Sequence, residues 1–276
     1  MKITLGHSPD SDDAFMFYAL ARHQIDEEGY EFEHTLRDIE TLNRWALESK
    51  LHVTAISVHG YAYVADNYAI LPHGASMGDN YGPMVVAREN LSRQALKEVK
   101  IAIPGTLTSA YLALRLWLGE FAYEVVPFNQ IMEAVADGQY AAGLLIHEGQ
   151  LTHGELGLRT LVDLGQWWKG DTGLPLPLGV NVIRKDLGAE RMRQLSRILH
   201  HSIAHGLEHR GKALDYALEF ARGMDRGLAD QFVGMYVNDW TLDMGEAGKR
   251  SIQLFLQRGH EAEVIQHLPP VEFVED

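Results

Sequence analysis

Between residues 2 and 184 short apolar runs alternate with helix-like segments, and beyond residue 188 the helical pattern continues without strands. Alternation of this kind restricts the chain to an α/β layer architecture, because each apolar strand needs a helix to cover it. KITLGHS (2–8) alternates and then meets Pro9, which predicts a strand ending in a loop. Asp12 or Asp13 is expected to cap the helix FMFYALARHQ that follows. YEFEHTLRD predicts a second strand. Thr41–Leu47 predicts a short helix with Leu42, Trp45 and Leu47 partly inward, VTAIS (53–57) a strand, and GYAYVADN a helix. GPMVVAR (82–88), KIAIP (100–104), VVPF and AAGLLI predict further strands. Ser92–Glu98, AYLALRLWLG and QIMEAVADG predict the helices among them.

A run at 174–187, containing LPLGVNVIRKDL, predicts a strand returning from the middle of the chain. Helices are then expected at Gly188–Arg210, Gly211–Arg222, Gly227–Val237 and Met244–Arg258. The pattern implies two α/β lobes joined by two extended crossings, near 83–88 and 178–184. Residues 1–87 plus 184–276 would form lobe one, and 88–183 an inserted lobe two. A double crossing between lobes leaves a cleft and a hinge, which suits capture of a small molecule.

The composition narrows the function. The chain carries a net charge of −14, against the basic face that nucleic acid requires and against docking on anionic lipid. Its longest clean apolar stretch, Ala141–Ile146, is far below the ~20 residues of a membrane span. No cysteine is present, so disulfides, thiolate metal sites and a cysteine nucleophile are excluded. The opening MKITLGHSPDSDDAF lacks the apolar core of a secretory signal, and a cytoplasmic location is expected. Oligomeric state has no signature here.

Ligands of open α/β sheets bind beyond the carboxyl ends of the strands. The polar residues expected there are Ser8 and Asp10, Ser57, Thr106, Thr108 and Ser109, and His147 with Glu148. In PGTLTSAY (104–111), Thr108 or Ser109 is a natural N-cap, and Ser109-Ala110 opens a helix whose free amides make an anion site. An ordinary capped helix is the competing explanation. His147 ends an apolar strand, and imidazole is the side chain that ordinarily exchanges protons near neutral pH; a hydrogen-bonded structural histidine is the alternative. His201, His205 and His209 fall on one helix face, where a solvated surface outweighs zinc binding for want of a further ligand. Asp10, Asp12 and Asp13 have the chemistry of a cation site, though capping explains them as well. Trp167 and Trp168 are expected under a long loop or beside the cleft.

Taken together, SPDSDDAFMFYAL (8–20), DIETLNRWALE (38–48), PGTLTSAYLAL (104–114), GLLIHEGQLT (143–152) and PLPLGVNVIRKDL (175–187) resemble the 1,4-dihydroxy-6-naphthoate synthase family of the futalosine route to menaquinone. The resemblance runs to about residue 190. It implies a two-lobed periplasmic-binding-protein type II fold used as a cytoplasmic enzyme, a carbon–carbon lyase. The implied reaction splits cyclic dehypoxanthine futalosine, a small-molecule carboxylate, into 1,4-dihydroxy-6-naphthoate and a small carbon fragment, with neither cofactor nor metal. The family's base falls on His147, and its substrate contacts on Ala55, Ile56 and Ser57 and on Ser109 and Ala110. Thr108 joins these through the helix start. Serine at 109, where the family often has threonine, keeps the hydroxyl. Ser57, Ser109 and nearby amides are expected to donate to the developing oxyanion. Two rivals share the scaffold: chorismate dehydratase, which lacks the histidine motif, and a non-catalytic solute-binding protein.

Overall fold

The computed structural model describes residues 1–221 and 224–275. Its strands are β1 (Lys2–His7), β2 (Glu31–Leu36), β3 (Val53–Ser57), β4 (Tyr68–Ile70), β5 (Ser76–Gly78), β6 (Met84–Ala87), β7 (Ile101–Ile103), β8 (Tyr123–Val125), β9 (Ala142–Leu145), β10 (Arg159–Asp163) and β11 (Leu176–Arg184). They form two sheets. The first runs β2-β1-β3-β11-β4, with β5 also paired to β11; the second runs β10-β6-β9-β7-β8. In the first sheet β1 lies parallel to β2 and β3, and β11 closes antiparallel on β3. In the second, β7 is parallel to β8 and β9, and β6 is antiparallel to β9. The carboxyl ends of β1, β3, β7 and β9 are therefore free to carry ligand-binding loops.

Sheet membership relocates the crossings expected at 83–88 and 178–184. Met84–Ala87 pairs with β9 in the second sheet, and Leu176–Arg184 pairs with β3 in the first. The chain thus passes between sheets at 79–83 and again after the helix Leu164–Thr172. At the first passage Gly82 lies against Gly165, where a side chain on Gly165 would overlap the Tyr81 carbonyl.

One buried cluster joins the sheets: Ile56 and Val180 of the first, Ile101 and Ile103 of the second, Leu112 and Leu114 of the helix Ser109–Leu118, and Phe255 and Leu256 of the last helix, Gly245–Glu261. A second cluster packs Phe15, Met16 and Leu20 against Leu195, Ile198 and Ile203 of the long helix Ala189–Glu208. Fully burying each such side chain contributes about 1.5–3 kcal/mol. Among the described residues no helix is long and apolar enough to cross a membrane.

Local chemistry explains where the elements differ from expectation. Neither Asp12 nor Asp13 caps the first helix; Asp10 holds the N-cap position, and Asp13 Oδ2 instead accepts from Ser8 N at 2.6 Å. That helix divides at Phe17 into Ser11–Met16 and Tyr18–Ala21, though hydrogen bonds continue through the joint. The helix Ile39–Leu47 is capped by Asp38 and buries Leu42, Asn43 and Ala46. Leu47 falls off that stripe and stands 45% exposed. The helix expected from Gly60 is only Val58–Tyr61; three-residue turns follow and lead into β4. VVPF is not a strand as a unit. The strand ends at Val125, Pro127 has no amide to give a ladder, and a helix runs Phe128–Ala136. Trp168, on the helix Leu164–Thr172, is wholly buried and donates to Ser251 Oγ, so it builds core rather than cleft. In the tail the observed helices include Arg210–Ala217 and Arg226–Tyr236; Arg222, the expected end of one helix, lies outside the described residues.

Candidate active site

The loops after β1, β3, β7 and β9 meet around a cavity of about 120 Å³. Its walls include Ser8, Asp10, Asp12 and Asp13 after β1; Ala55, Ile56 and Ser57 of β3; Thr108, Ser109 and Ala110 after β7; and Ile146 and His147 after β9. The residues singled out from sequence at 55–57, 108–110 and 147 are thus neighbours in space. Thr106 and Glu148 do not line this cavity.

His147 is held in a left-handed backbone conformation, φ 62°, which costs a residue with a Cβ of order 1 kcal/mol or more. The turn is stabilised by Gln150 N, which donates to His147 O at 3.1 Å. It aims the ring at Asp10, whose Oδ2 lies 3.1 Å from Nδ1. The same carboxylate accepts from the Ser8 hydroxyl. A carboxylate only accepts, so this contact favours a hydrogen on Nδ1. Nε2 is buried and has no hydrogen-bond partner. The Phe128 ring covers the imidazole at 4.4 Å between centroids. On the Phe128 and Glu148 side, His147 also borders a wider cleft of about 590 Å³. Asp10, His147 and Glu148 each bring one atom within 4.8 Å of the others, with Asp10 and His147 in ion-pair contact at 3.1 Å.

Thr108 caps the helix Ser109–Leu118: its hydroxyl accepts from Tyr111 N at 3.2 Å and donates to Gly105 O at 2.8 Å. The amides of Ser109 and Ala110 in the first turn have no acceptor among the described residues. They point the positive end of the helix dipole at the cavity. The Ser109 hydroxyl is committed to the scaffold, donating to Leu178 O at 2.6 Å and accepting from His59 N at 3.2 Å. Ser109 therefore offers its amide rather than its O–H. The Ser57 hydroxyl accepts from Asn43 Nδ2 at 3.1 Å and keeps its hydrogen to donate.

Asn43 ties these pieces together. Its Oδ1 accepts from Ser57 N at 2.8 Å, and its Nδ2 also reaches Leu107 O at 3.4 Å. Glu40, one turn earlier, accepts from Leu107 N at 3.2 Å. One short helix thereby sets the separation between the end of β3 and the loop after β7.

Burial raises the Asp12 carboxyl well above the usual carboxylate range, and the charges of Asp13 and Asp10 add to the shift. Burial raises Asp13 too, against the pull of the Ser8 amide. His59, behind Ser109, is pushed down to about 4 by burial. Tyr236, from the tail helix Arg226–Tyr236, has its hydroxyl pushed up by burial. It reaches the Gln150 side chain at 2.7 Å. With its amide nitrogen on Gly82 O at 2.9 Å, Gln150 accepts from His147 N at 3.3 Å. Phe232, one turn earlier, lines the cavity as well.

Sequence patterns did not point to Asn43, Gln150, Phe232 or Tyr236. Each lies in an amphipathic helix or turn where its residue type is unexceptional. None of His201, His205 and His209 lines the cavity; His209 lies just past the end of the helix, His205 and His209 stack at 4.1 Å, and His201 and His209 are exposed.

A family model described as menaquinone biosynthesis matches residues 3–261. A 1,4-dihydroxy-6-naphthoate synthase of Thermus thermophilus is 42% identical over 250 residues, 91% of each chain. One from Streptomyces coelicolor is 35% identical over 276 residues, covering 97% of this chain and 96% of its own. Among solved structures, a crystal structure of an Archaeoglobus fulgidus protein superposes with a TM-score of 0.92 at 44% identity, covering 96% of this chain and 98% of that one. An alkanesulfonate-binding protein of Xanthomonas axonopodis superposes at 0.72 with 9% identity, covering 97% and 96%, a likeness of fold alone. The chain is an enzyme on a periplasmic-binding-protein-like fold, and it belongs to the menaquinone-biosynthesis family of the 1,4-dihydroxy-6-naphthoate synthases.

Proposed function

We propose that the protein is a cytoplasmic carbon–carbon lyase that converts cyclic dehypoxanthine futalosine to 1,4-dihydroxy-6-naphthoate, with His147 as the base. The observation that carries this is the close carboxylate–imidazole pair on the cavity wall: Nδ1 beside Asp10 Oδ2 at 3.1 Å, and Nε2 buried without a partner. Asp10 fixes which nitrogen is protonated and leaves the other to remove a substrate proton. The Ser109 and Ala110 amides supply a seat for the substrate carboxylate without a cation. Ala55 and Ile56 are paired to β11 through Asn181 and Val180, so they shape the wall chiefly by backbone. Ser57 is left as a hydroxyl donor.

The cavity of about 120 Å³ is smaller than the ~300–1,000 Å³ of sites that hold drug-sized ligands. Substrate therefore enters when the two sheets part at the 79–83 and 173–175 passages, and closure excludes water.

Purified protein is tested with cyclic dehypoxanthine futalosine and with chorismate, and products are read by mass. The naphthoate is expected from the first and no turnover of the second. Turnover of chorismate alone would reassign the protein to dehydration; binding without chemistry would make it a solute receptor. His147→Ala should lower kcat by about 10²–10⁴-fold while the circular dichroism spectrum stays native. Full activity in that variant removes His147 from the mechanism.

A further inference from the structure

A base alone does not complete such a cleavage. When a base takes the proton of a hydroxyl, the carbon–carbon bond breaks and a carbonyl forms on the hydroxyl carbon. The bonding pair moves to the other fragment as an enolate, whose oxygen then needs a proton. Resting on the lyase assignment above, the question becomes which wall residue holds one.

Most hydroxyls of the cavity are already committed. Ser8 donates to Asp10, Thr108 to Gly105 O, Ser109 to Leu178 O, and Tyr236 to the Gln150 side-chain oxygen at 3.0 Å. Ser57 has a hydrogen to share, but an alcohol is too weak an acid to surrender it. Asp13 accepts from Ser8 N. Asp12 is different: it lines the cavity, and its Oδ1 is buried with no partner. Among the described residues, the titratable groups that act on it are Asp10 and Asp13 of its own segment and Tyr236 of the helix Arg226–Tyr236.

We propose that Asp12 is the proton donor of the cleavage, giving its carboxyl hydrogen to the enolate oxygen as His147 Nε2 takes one from the substrate hydroxyl. Its burial beside two other carboxyls favours the neutral acid that such a role needs. The step balances without oxidant or reductant. One proton enters the enzyme at the imidazole and one leaves from Asp12; proton transfer from imidazolium to the Asp12 carboxylate after product release restores the starting state.

Asp12→Asn keeps the shape and removes the acid. Its kcat on cyclic dehypoxanthine futalosine should fall by about 10²–10⁴-fold with KM within about threefold. Wild-type kcat should decline on the alkaline side as Asp12 ionises, and that decline should be absent in Asp12→Asn. Asp12→Glu, still an acid, should recover part of the loss. Wild-type kcat and pH profile in Asp12→Asn overturns the proposal, as does a rise in KM alone or an equal loss in the Glu and Asn variants. Independently of folding of the variants and of the substrate assignment, wild-type protein carrying [13C]carboxyl-labelled aspartate should show a protonated aspartate at pH 7. A spectrum in which every aspartate is ionised at that pH overturns it. Failure of the wild type to turn over this substrate strikes the lyase assignment, while loss of the protonated signal from labelled Asp12→Asn, but not from labelled Asp13→Asn, still decides the state of Asp12.

Discussion

Replacing Asn43 by alanine removes two good hydrogen bonds and a long one from the point where β3 meets the loop after β7. Ser57 N–H would be left buried without an acceptor, which costs about 1–3 kcal/mol, and the lost bond to Ser57 Oγ adds about 1 kcal/mol. The sum, about 2–4 kcal/mol, corresponds to a fall in Tm of roughly 3–7 °C for a chain of this size. Urea and thermal unfolding followed by tryptophan fluorescence measure it. Function should suffer in a particular way. Asn43 does not line the cavity; it holds Ser57 and Leu107 at a fixed separation, so its loss should raise KM by about tenfold, equivalent to ~1.4 kcal/mol of binding. A variant with wild-type Tm and KM would refute the view that this side chain sets the spacing of the two substrate-facing loops.

Two further outcomes follow from packing and burial. Gly165→Ala drives a methyl group into the Tyr81 carbonyl at the first passage between sheets and should cost about 3 kcal/mol or more. Gly170→Ala, in the same helix with open space around it, should stabilise by about 0.5–1 kcal/mol; equal effects of the two in urea unfolding would contradict the close approach. His7 and His59 are pushed down by burial to about 3 and about 4. Because these folded values lie below the unfolded value near 6.5, the unfolded state takes up protons first. Their contribution is complete above pH 6.5 and is lost as pH falls toward 4. Between pH 6.5 and 5 each should account for about 2 kcal/mol of lost stability. His59→Gln should therefore show a shallower acid-side fall in unfolding free energy than wild type; an identical slope would mean His59 is not held neutral.

Elements were readable where one local signal dominated. β1, β3, β7 and β9 are short apolar runs ending in Pro, Ser, Gly or His, and their ends carry the candidate site as strand-end logic requires. Signals failed where tertiary pairing overrode them. Tyr68–Ile70, Ser76–Gly78 and Arg159–Asp163 are three to five residues long, too short for alternation to register, and exist as strands because β11 and β6 present edges to them. The crossings were displaced for the same reason: an apolar run can pair with either sheet, and nothing local says which.

Periodicity, capping residues and the ends of apolar runs are properties of a few neighbouring side chains, so the α/β class, the amide-rich start at Ser109 and the position of His147 at a strand end were all written locally in the chain. The partner that orients the imidazole is another matter. Asp10 lies 137 positions from His147 in the chain, and Tyr236 lies 86 from Gln150. Such contacts form only when the two sheets and the tail helices pack on one another, because hydrogen-bond geometry is a relation between distant backbones and no periodicity encodes it.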